Sequence, residues 1–207
     1  MFDGRFKSEI ERYVRPVGES LRRTGLSPDH FTVLGLCVAG AAAVAIGAGK
    51  MQLGLLLVIC SALPDLLDGA LAKASNSASQ RGAFFDSVVD RVSDSLLFGG
   101  VAWFYASSNS PQFSIVPFAI LGASLIISYE RAKAESLGLY AKGGLMERAE
   151  RIILLCFGLL FDSLLKWVMV VMLVLVVMTA VQRFVKVWKQ AAVAPVTAEK
   201  QAIRRSR

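Results

Sequence analysis

Long apolar runs separated by short charged connections set the plan of this chain. Runs of roughly 18 to 22 apolar residues, the length a helix needs to cross a bilayer, fall near 31–49, 51–72, 84–106, 113–134, 149–165 and 167–188. The pattern predicts six transmembrane helices. Before them, Phe6, Ile10, Tyr13, Val14, Val17 and Leu21 recur at helical spacing among Lys7, Arg12, Arg15, Arg22 and Arg23. That spacing predicts an N-terminal amphipathic helix over 1–24, lying on the bilayer surface with its basic residues toward anionic headgroups; the alternative is a plain basic leader. The same stretch lacks the continuous apolar core of a secretory signal. Gly25 closes this helix, Ser27 caps the next, and Pro28 suits a first helical turn. Residues 25–189 then read as one six-helix membrane domain, and 190–207 as a flexible basic tail. The fold class expected is an all-α integral membrane protein, with neither an internal repeat nor a second soluble domain.

Composition agrees with the pattern. Of 207 residues, 55% are hydrophobic and 19% charged, too apolar for an ordinary soluble domain and too regular for disorder. Lys and Arg placement gives the orientation. Arg5, Lys7, Arg12, Arg15, Arg22 and Arg23 precede the first span; Lys73 and Arg81 lie between the second and third; Arg131, Lys133, Lys142, Arg148 and Arg151 surround the connection between the fourth and fifth; Arg183, Lys186 and Lys189 lead into the tail. The opposite connections carry only Lys50 and Lys166. Both termini are therefore expected in the cytoplasm, in a multi-pass plasma-membrane protein. The net charge of +7 fits anionic lipid or phosphate ligands rather than nucleic acid, for which no motif is present. Cys37, Cys60 and Cys156 lie inside apolar runs without close-spaced partners and read as reduced core residues. His30 is the one histidine and cannot build a histidine metal site.

One stretch breaks the apolar pattern: PDLLDGALAKASNSASQRGAFFDSVVDRVSD, residues 64–94. Asp65 and Asp68 are three apart and Asp86 and Asp90 four apart, so each pair occupies one face of its own helix. Intramembrane aspartates cost about 2.5 to 3.5 kcal/mol each at the centre of a span, which makes them functional candidates. Pro64 removes a backbone hydrogen bond beside the first of them and is expected to kink the helix; the small, polar run SNSASQRG predicts a turn. Four neighbouring carboxylates raise one another's pKa unless a cation joins them. Hard oxygen ligands select Mg2+ or Mn2+ over zinc, and two such ions make a natural clamp for a pyrophosphate. Gly69 and Gly82 leave bare helix faces for a ligand or for helix packing.

These residues carry a resemblance. Asp65, Asp68, Gly69, Ala72, Gly82, Asp86 and Asp90 match the signature of the CDP-alcohol phosphotransferase family, D-x-x-D-G-x-x-A-R followed after eight residues by G-x-x-x-D-x-x-x-D. Lys73 stands where the family has arginine, keeping the charge and losing the bidentate fork. The resemblance implies transfer of a substituted phosphate from a CDP-linked lipid to an alcohol, with release of CMP. It implies that Asp65, Asp68, Asp86 and Asp90 hold two divalent ions, Mg2+ or Mn2+, and that Asp90 is also the general base for the acceptor hydroxyl. It further implies that Asp29, His30, Phe31, Thr32, Gly69, Lys73 and Ser79 contact the CDP-lipid; the alternative for Asp29 and Thr32 is a helix cap.

Basic residues elsewhere point to the acceptor. Arg131, Lys133, Arg148, Arg151 and Arg183 all fall at the cytoplasmic ends of the later spans. If they share one cavity they favour a phosphorylated acceptor; otherwise they snorkel or serve the topology. The strings SYERAKAESLGL, GGLMERAERI and VQRFVKVW resemble the actinobacterial phosphatidylinositol phosphate synthases of this family. That resemblance implies CDP-diacylglycerol and inositol phosphate as substrates, with Ser128, Arg131, Lys133, Arg151 and Arg183 binding the acceptor phosphate, and a homodimer in a bacterial membrane. The lysine and arginine at 131 and 133 are exchanged relative to the family order. Glycerol 3-phosphate, the acceptor of phosphatidylglycerophosphate synthases, is an alternative, and a divalent-cation transporter an alternative of another class.

Overall fold

The computed structural model describes residues 28–74, 80–141 and 143–193, with the side chains of 28, 63–74 and 193 excepted. The expected helix over 1–24, Ser79, most of the basic tail, and the side chains of Pro64, Asp65, Asp68, Gly69 and Lys73 lie outside the described residues. What is described is helical: α1 (Pro28–Gly47), α2 (Met51–Ala74), α3 (Gln80–Ala106), α4 (Ile115–Ser136), α5 (Arg148–Leu160) and α6 (Leu165–Val193), with 3-10 turns at Pro111–Ser114 and Asp162–Leu164. Three stretches, Asp29–Gly47, Pro111–Ser136 and Asp162–Ala192, are long and apolar enough to cross a membrane. Among the described residues, the apolar part of α2 is Met51–Ala62.

Helix α1 packs against α2 and α3, α4 against α3 and α6, and α5 against α2 and α6. The α1 contact is close because its facing positions are small. Ala39, Ala42, Ala43 and Ala45 are buried, and a Cβ on Gly100 of α3 would stand 2.5 Å from the Ala43 carbonyl oxygen and 2.8 Å from its Cα. The small-residue string CVAGAAAVAIGAG thus serves packing within the chain. Gly49, at φ +76°, lets the backbone reverse between α1 and α2, with Lys50 N–H bonding back to the Ala45 carbonyl at 2.9 Å.

Each core helix buries one stripe and exposes apolar residues on the other. On α6, Leu165, Met169, Met172 and Val176 are buried while Trp167, Val171, Val174 and Val181 are exposed. A helix apolar on both faces suits lipid on the outer one. Cys37 is exposed on α1, which corrects its reading as a core residue: in a membrane helix an apolar run does not tell inward from lipid-facing positions. All three cysteines are free.

The stripes change character toward one end. On α6 the buried face continues past Val176 into Thr179 and Arg183; on α3 it runs back from Val101, Phe98 and Leu97 into Asp94 and Ser93; on α5 it runs back from Leu159 and Leu155 into Arg151. On α4, buried Ser124 follows Ile120 by one turn. Three helices therefore turn polar on their inward faces while α4 adds the buried Ser124, and this end is where the site forms.

Candidate functional site

A cleft of about 820 Å³ opens at the polar end. It is lined from α3 by Asp86, Asp90 and Asp94, from α4 by Ser128 and Arg131, from the start of α5 by Glu147, Arg148 and Arg151, and from α6 by Arg183. Of the residues singled out in the sequence, Asp86, Asp90, Ser128, Arg131, Arg148, Arg151 and Arg183 share this cleft. Lys133, two residues beyond Arg131 and so about half a turn round α4, is exposed and is not in its lining. The side chains of Asp65 and Asp68 lie outside the described residues, and among the described residues no cluster of three or more metal-ligating side chains occurs.

The charged groups form two linked sets. In the first, Arg151 Nη2 donates to Asp94 Oδ2 at 2.5 Å, and both side chains are buried, at 4% and 6% exposed. Arg148 Nη1 stands 2.9 Å from Asp90 Oδ1, and its Nε stands 3.5 Å from Asp94 Oδ1. Four side chains, Arg151, Asp94, Arg148 and Asp90, so make one chain of ion pairs from α5 to α3. Charged groups as deep as Arg151 and Asp94 persist only when paired.

The second set is centred on Arg183, one turn beyond Thr179 on the buried face of α6. Its Nη1 donates to the Ile127 carbonyl at 3.0 Å, and its Nη2 to the Gly143 carbonyl at 3.0 Å and to Glu147 Oε1 at 3.3 Å. The Met146 N–H donates to Thr179 Oγ1 at 3.0 Å, and a Cβ on Gly144 would stand 2.6 Å from Thr179 Cγ2. The connection from α4 to α5 is thereby laid on α6. Gly138, at φ +72°, ends α4, and Gln190 Nε2 donates to the Tyr140 carbonyl at 2.8 Å while its Oε1 accepts the Tyr140 N–H at 3.0 Å.

The remaining sequence candidates are placed differently. Arg131 Nε donates to Glu135 Oε1 at 3.0 Å, an i,i+4 pair with both side chains open to solvent. Asp29, His30, Phe31 and Thr32 occupy the first turn of α1, where Thr32 is buried and Asp29 lies 3.9 Å from exposed Arg81 of α3. Two members of the ion-pair network, Asp94 and Glu147, were not among the sequence candidates for the site. Asp94 carries a signal in the sequence: it follows Asp86 and Asp90 at the same four-residue interval, hence on the same helix face.

The arrangement can do two things. Asp86 and Asp90, one turn apart and both in the cleft, offer carboxylate oxygens to a hard cation. The first turn of α5, with Arg148 and Arg151, offers N–H groups and guanidinium charge to an anion. A helical bundle with apolar outer faces suits a membrane, and the cleft at its polar end brings carboxylates and guanidinium groups together.

The profile of the CDP-alcohol phosphatidyltransferases matches residues 26–181, and the chain belongs to that family. It is 33% identical over 190 residues to the archaetidylinositol phosphate synthase of Methanothermobacter thermautotrophicus, covering 89% of this chain and 93% of that protein. It is 36% identical over 154 residues to the phosphatidylinositol phosphate synthase of Mycobacterium marinum, covering 73% of this chain and 66% of that protein. Among solved structures it is similar to the phosphatidylinositol phosphate synthase of Mycobacterium tuberculosis with CDP-DAG bound, at TM-score 0.83 and 33% identity over 90% of this chain and 99% of that one. The same enzyme in complex with manganese and citrate gives TM-score 0.82 at 33% identity, over 89% and 93% of the two chains.

Proposed function

We propose that this transferase moves the phosphatidyl group of CDP-diacylglycerol to inositol phosphate, giving phosphatidylinositol phosphate and CMP. The observation that carries the reading is the meeting of Asp86 and Asp90 with Arg148, Arg151 and Arg183 in one cleft: carboxylates for the donor side, guanidinium groups for a phosphorylated acceptor. Relatives named for inositol phosphate products support the choice of acceptor.

Asp65, Asp68, Asp86 and Asp90 would hold the divalent cation, Mg2+ or Mn2+ and two ions by the family resemblance. An all-carboxylate donor set fits such ions, and Asp86 and Asp90, one turn apart in the cleft, suit it. A cation held there would supply positive charge to the donor pyrophosphate and to the leaving CMP oxygen. The rest is the work of the chain. Arg151 and Arg183, with the N-terminal turn of α5, bind the acceptor phosphate and Ser128 orients the ligand beside them. Asp90 takes the proton from the acceptor hydroxyl as its oxygen attacks the lipid-side phosphorus. A new P–O bond to the acceptor forms, the pyrophosphate P–O bond breaks, and its electron pair leaves with CMP. Asp29, His30, Phe31, Thr32, Gly69, Lys73 and Ser79 contact the CDP-lipid. Arg131, in the lining of the cleft, adds positive charge there.

The family enzyme is a membrane protein, and we extend this to six spans with both termini and the cleft on the cytoplasmic side of a bacterial plasma membrane, working as a homodimer. Charge placement supports the orientation. CMP release from CDP-diacylglycerol tests the reading, with inositol phosphate, glycerol 3-phosphate and free inositol as parallel acceptors and EDTA as a control. Metal-dependent release with inositol phosphate alone is the expected result; release only with another acceptor overturns the acceptor, and release with none overturns the activity.

A further inference from the structure

We propose that Asp94 is a positioning residue of the acceptor site, holding Arg151 directly and tying it through Arg148 to the proposed base Asp90. The inference rests on the acceptor reading above. Asp94 sits on the buried stripe of α3, with Leu97 and Phe98 a turn beyond it almost fully buried, so its carboxylate has little freedom. Oδ2 accepts from Arg151 Nη2 and Oδ1 faces Arg148 Nε at 3.5 Å. Asp94 continues the four-residue series of Asp86 and Asp90, but its side chain is 6% exposed against 21% for Asp90, so it meets the arginines of α5 deeper in the protein.

What it does for the arginines follows from charge and reach. Arg148 and Arg151 are three residues apart on α5 and share a face, so their like charges push the two long side chains apart. A carboxylate set between them draws both inward. It also puts Arg148 Nη1 on Asp90 at 2.9 Å. The distance between the acceptor-phosphate donors and the base is then set by a rigid chain of contacts between α3 and α5. A substrate bound by its phosphate at Arg151 presents its hydroxyl to Asp90 only if that spacing holds. The buried Nε of Arg151 has no hydrogen-bond partner among the described residues, which leaves this guanidinium with donor capacity beyond the Asp94 contact.

The test uses the full chain in detergent or nanodiscs. Asp94→Asn keeps the shape and removes the charge. It is expected to raise the KM for inositol phosphate about tenfold or more, the loss of one charge-assisted contact, while the KM for CDP-diacylglycerol stays within about twofold. Calorimetric titration of inositol phosphate without donor lipid should show the same loss of affinity. Because Asp94 acts through Arg151, Asp94→Asn added to Arg151→Gln should do no further damage to acceptor affinity. An unmoved acceptor KM, equal rises in both KM values, or additive effects in the double variant would each overturn the proposal. If Asp94→Asn does not fold, Asp94→Glu keeps the charge and displaces it by one methylene. It too is expected to weaken the acceptor selectively, and a normal acceptor KM in it overturns the proposal. Wild-type protein is assayed first: no turnover with inositol phosphate defeats the acceptor reading, whereas normal wild-type turnover with an unchanged variant defeats the role of Asp94 alone.

Discussion

Replacing Arg183 with alanine removes a side chain that both lines the cleft and holds the connection between α4 and α5. Arg183 is 4% exposed and donates to Ile127, Gly143 and Glu147. Hydrogen bonds from a charged donor contribute about 1.5 to 3 kcal/mol each, so a simple sum overstates the loss. Gly143 is exposed and the Glu147 side chain is 45% exposed, so water can replace the guanidinium at both. The Ile127 carbonyl lies within α4, where a helical amide also bonds it. Removing a buried cation recovers part of its desolvation cost. The net expectation is about 2 to 4 kcal/mol of destabilisation, or a fall in Tm of roughly 5 to 15 °C. Thermal unfolding of the purified protein, with limited proteolysis across residues 138–147, measures both the loss and its location. The same variant should raise the acceptor KM far more than the donor KM. A Tm unchanged within about one degree, with no new cleavage in that segment, would refute the view that Arg183 organises this side of the cleft.

Other perturbations separate the parts of the account. Asp90→Asn should abolish turnover while leaving CDP-diacylglycerol binding largely intact; a near-normal rate would remove Asp90 as base. EDTA should stop CMP release and added Mg2+ or Mn2+ restore it, whereas release that continues without divalent ions would exclude the carboxylates from metal-assisted chemistry. Gly100→Ala places a Cβ 2.5 Å from the Ala43 carbonyl oxygen, against backbone that cannot rotate away, so α1 and α3 must separate. That should cost about 1 to 3 kcal/mol and lower the Tm, and an unaltered Tm would contradict the close helix contact.

The apolar pattern made the helices legible because membrane helices declare themselves by length and composition. Ranges taken from the runs fall on α1 through α6 to within several residues. The inward face was harder to read. Cys37 and the alanines of α1 belong to one apolar string, and only packing tells the exposed cysteine from the buried Ala39, Ala42 and Ala43. At the site, Asp86 and Asp90 were readable from their spacing, and Arg151 and Arg183 from the family resemblance. Their partners were not. Asp94 reaches Arg151 from α3 and Glu147 reaches Arg183 from the connection before α5, and no periodicity in one segment reports a contact with another. Lys133 shows the converse: its charge and position in the sequence suggested the pocket, but the helix turn carries it outside the lining.

The central claim is that the arginines at the start of α5 and the end of α6 bind an acceptor phosphate beside Asp90. The most direct measurement is a structure of the full chain with inositol phosphate bound. The account predicts its phosphate within hydrogen-bond distance of Arg151 and Arg183, with a ring hydroxyl turned toward Asp90. A sugar phosphate bound outside this cleft, or held with its phosphate on the aspartate side, would contradict it.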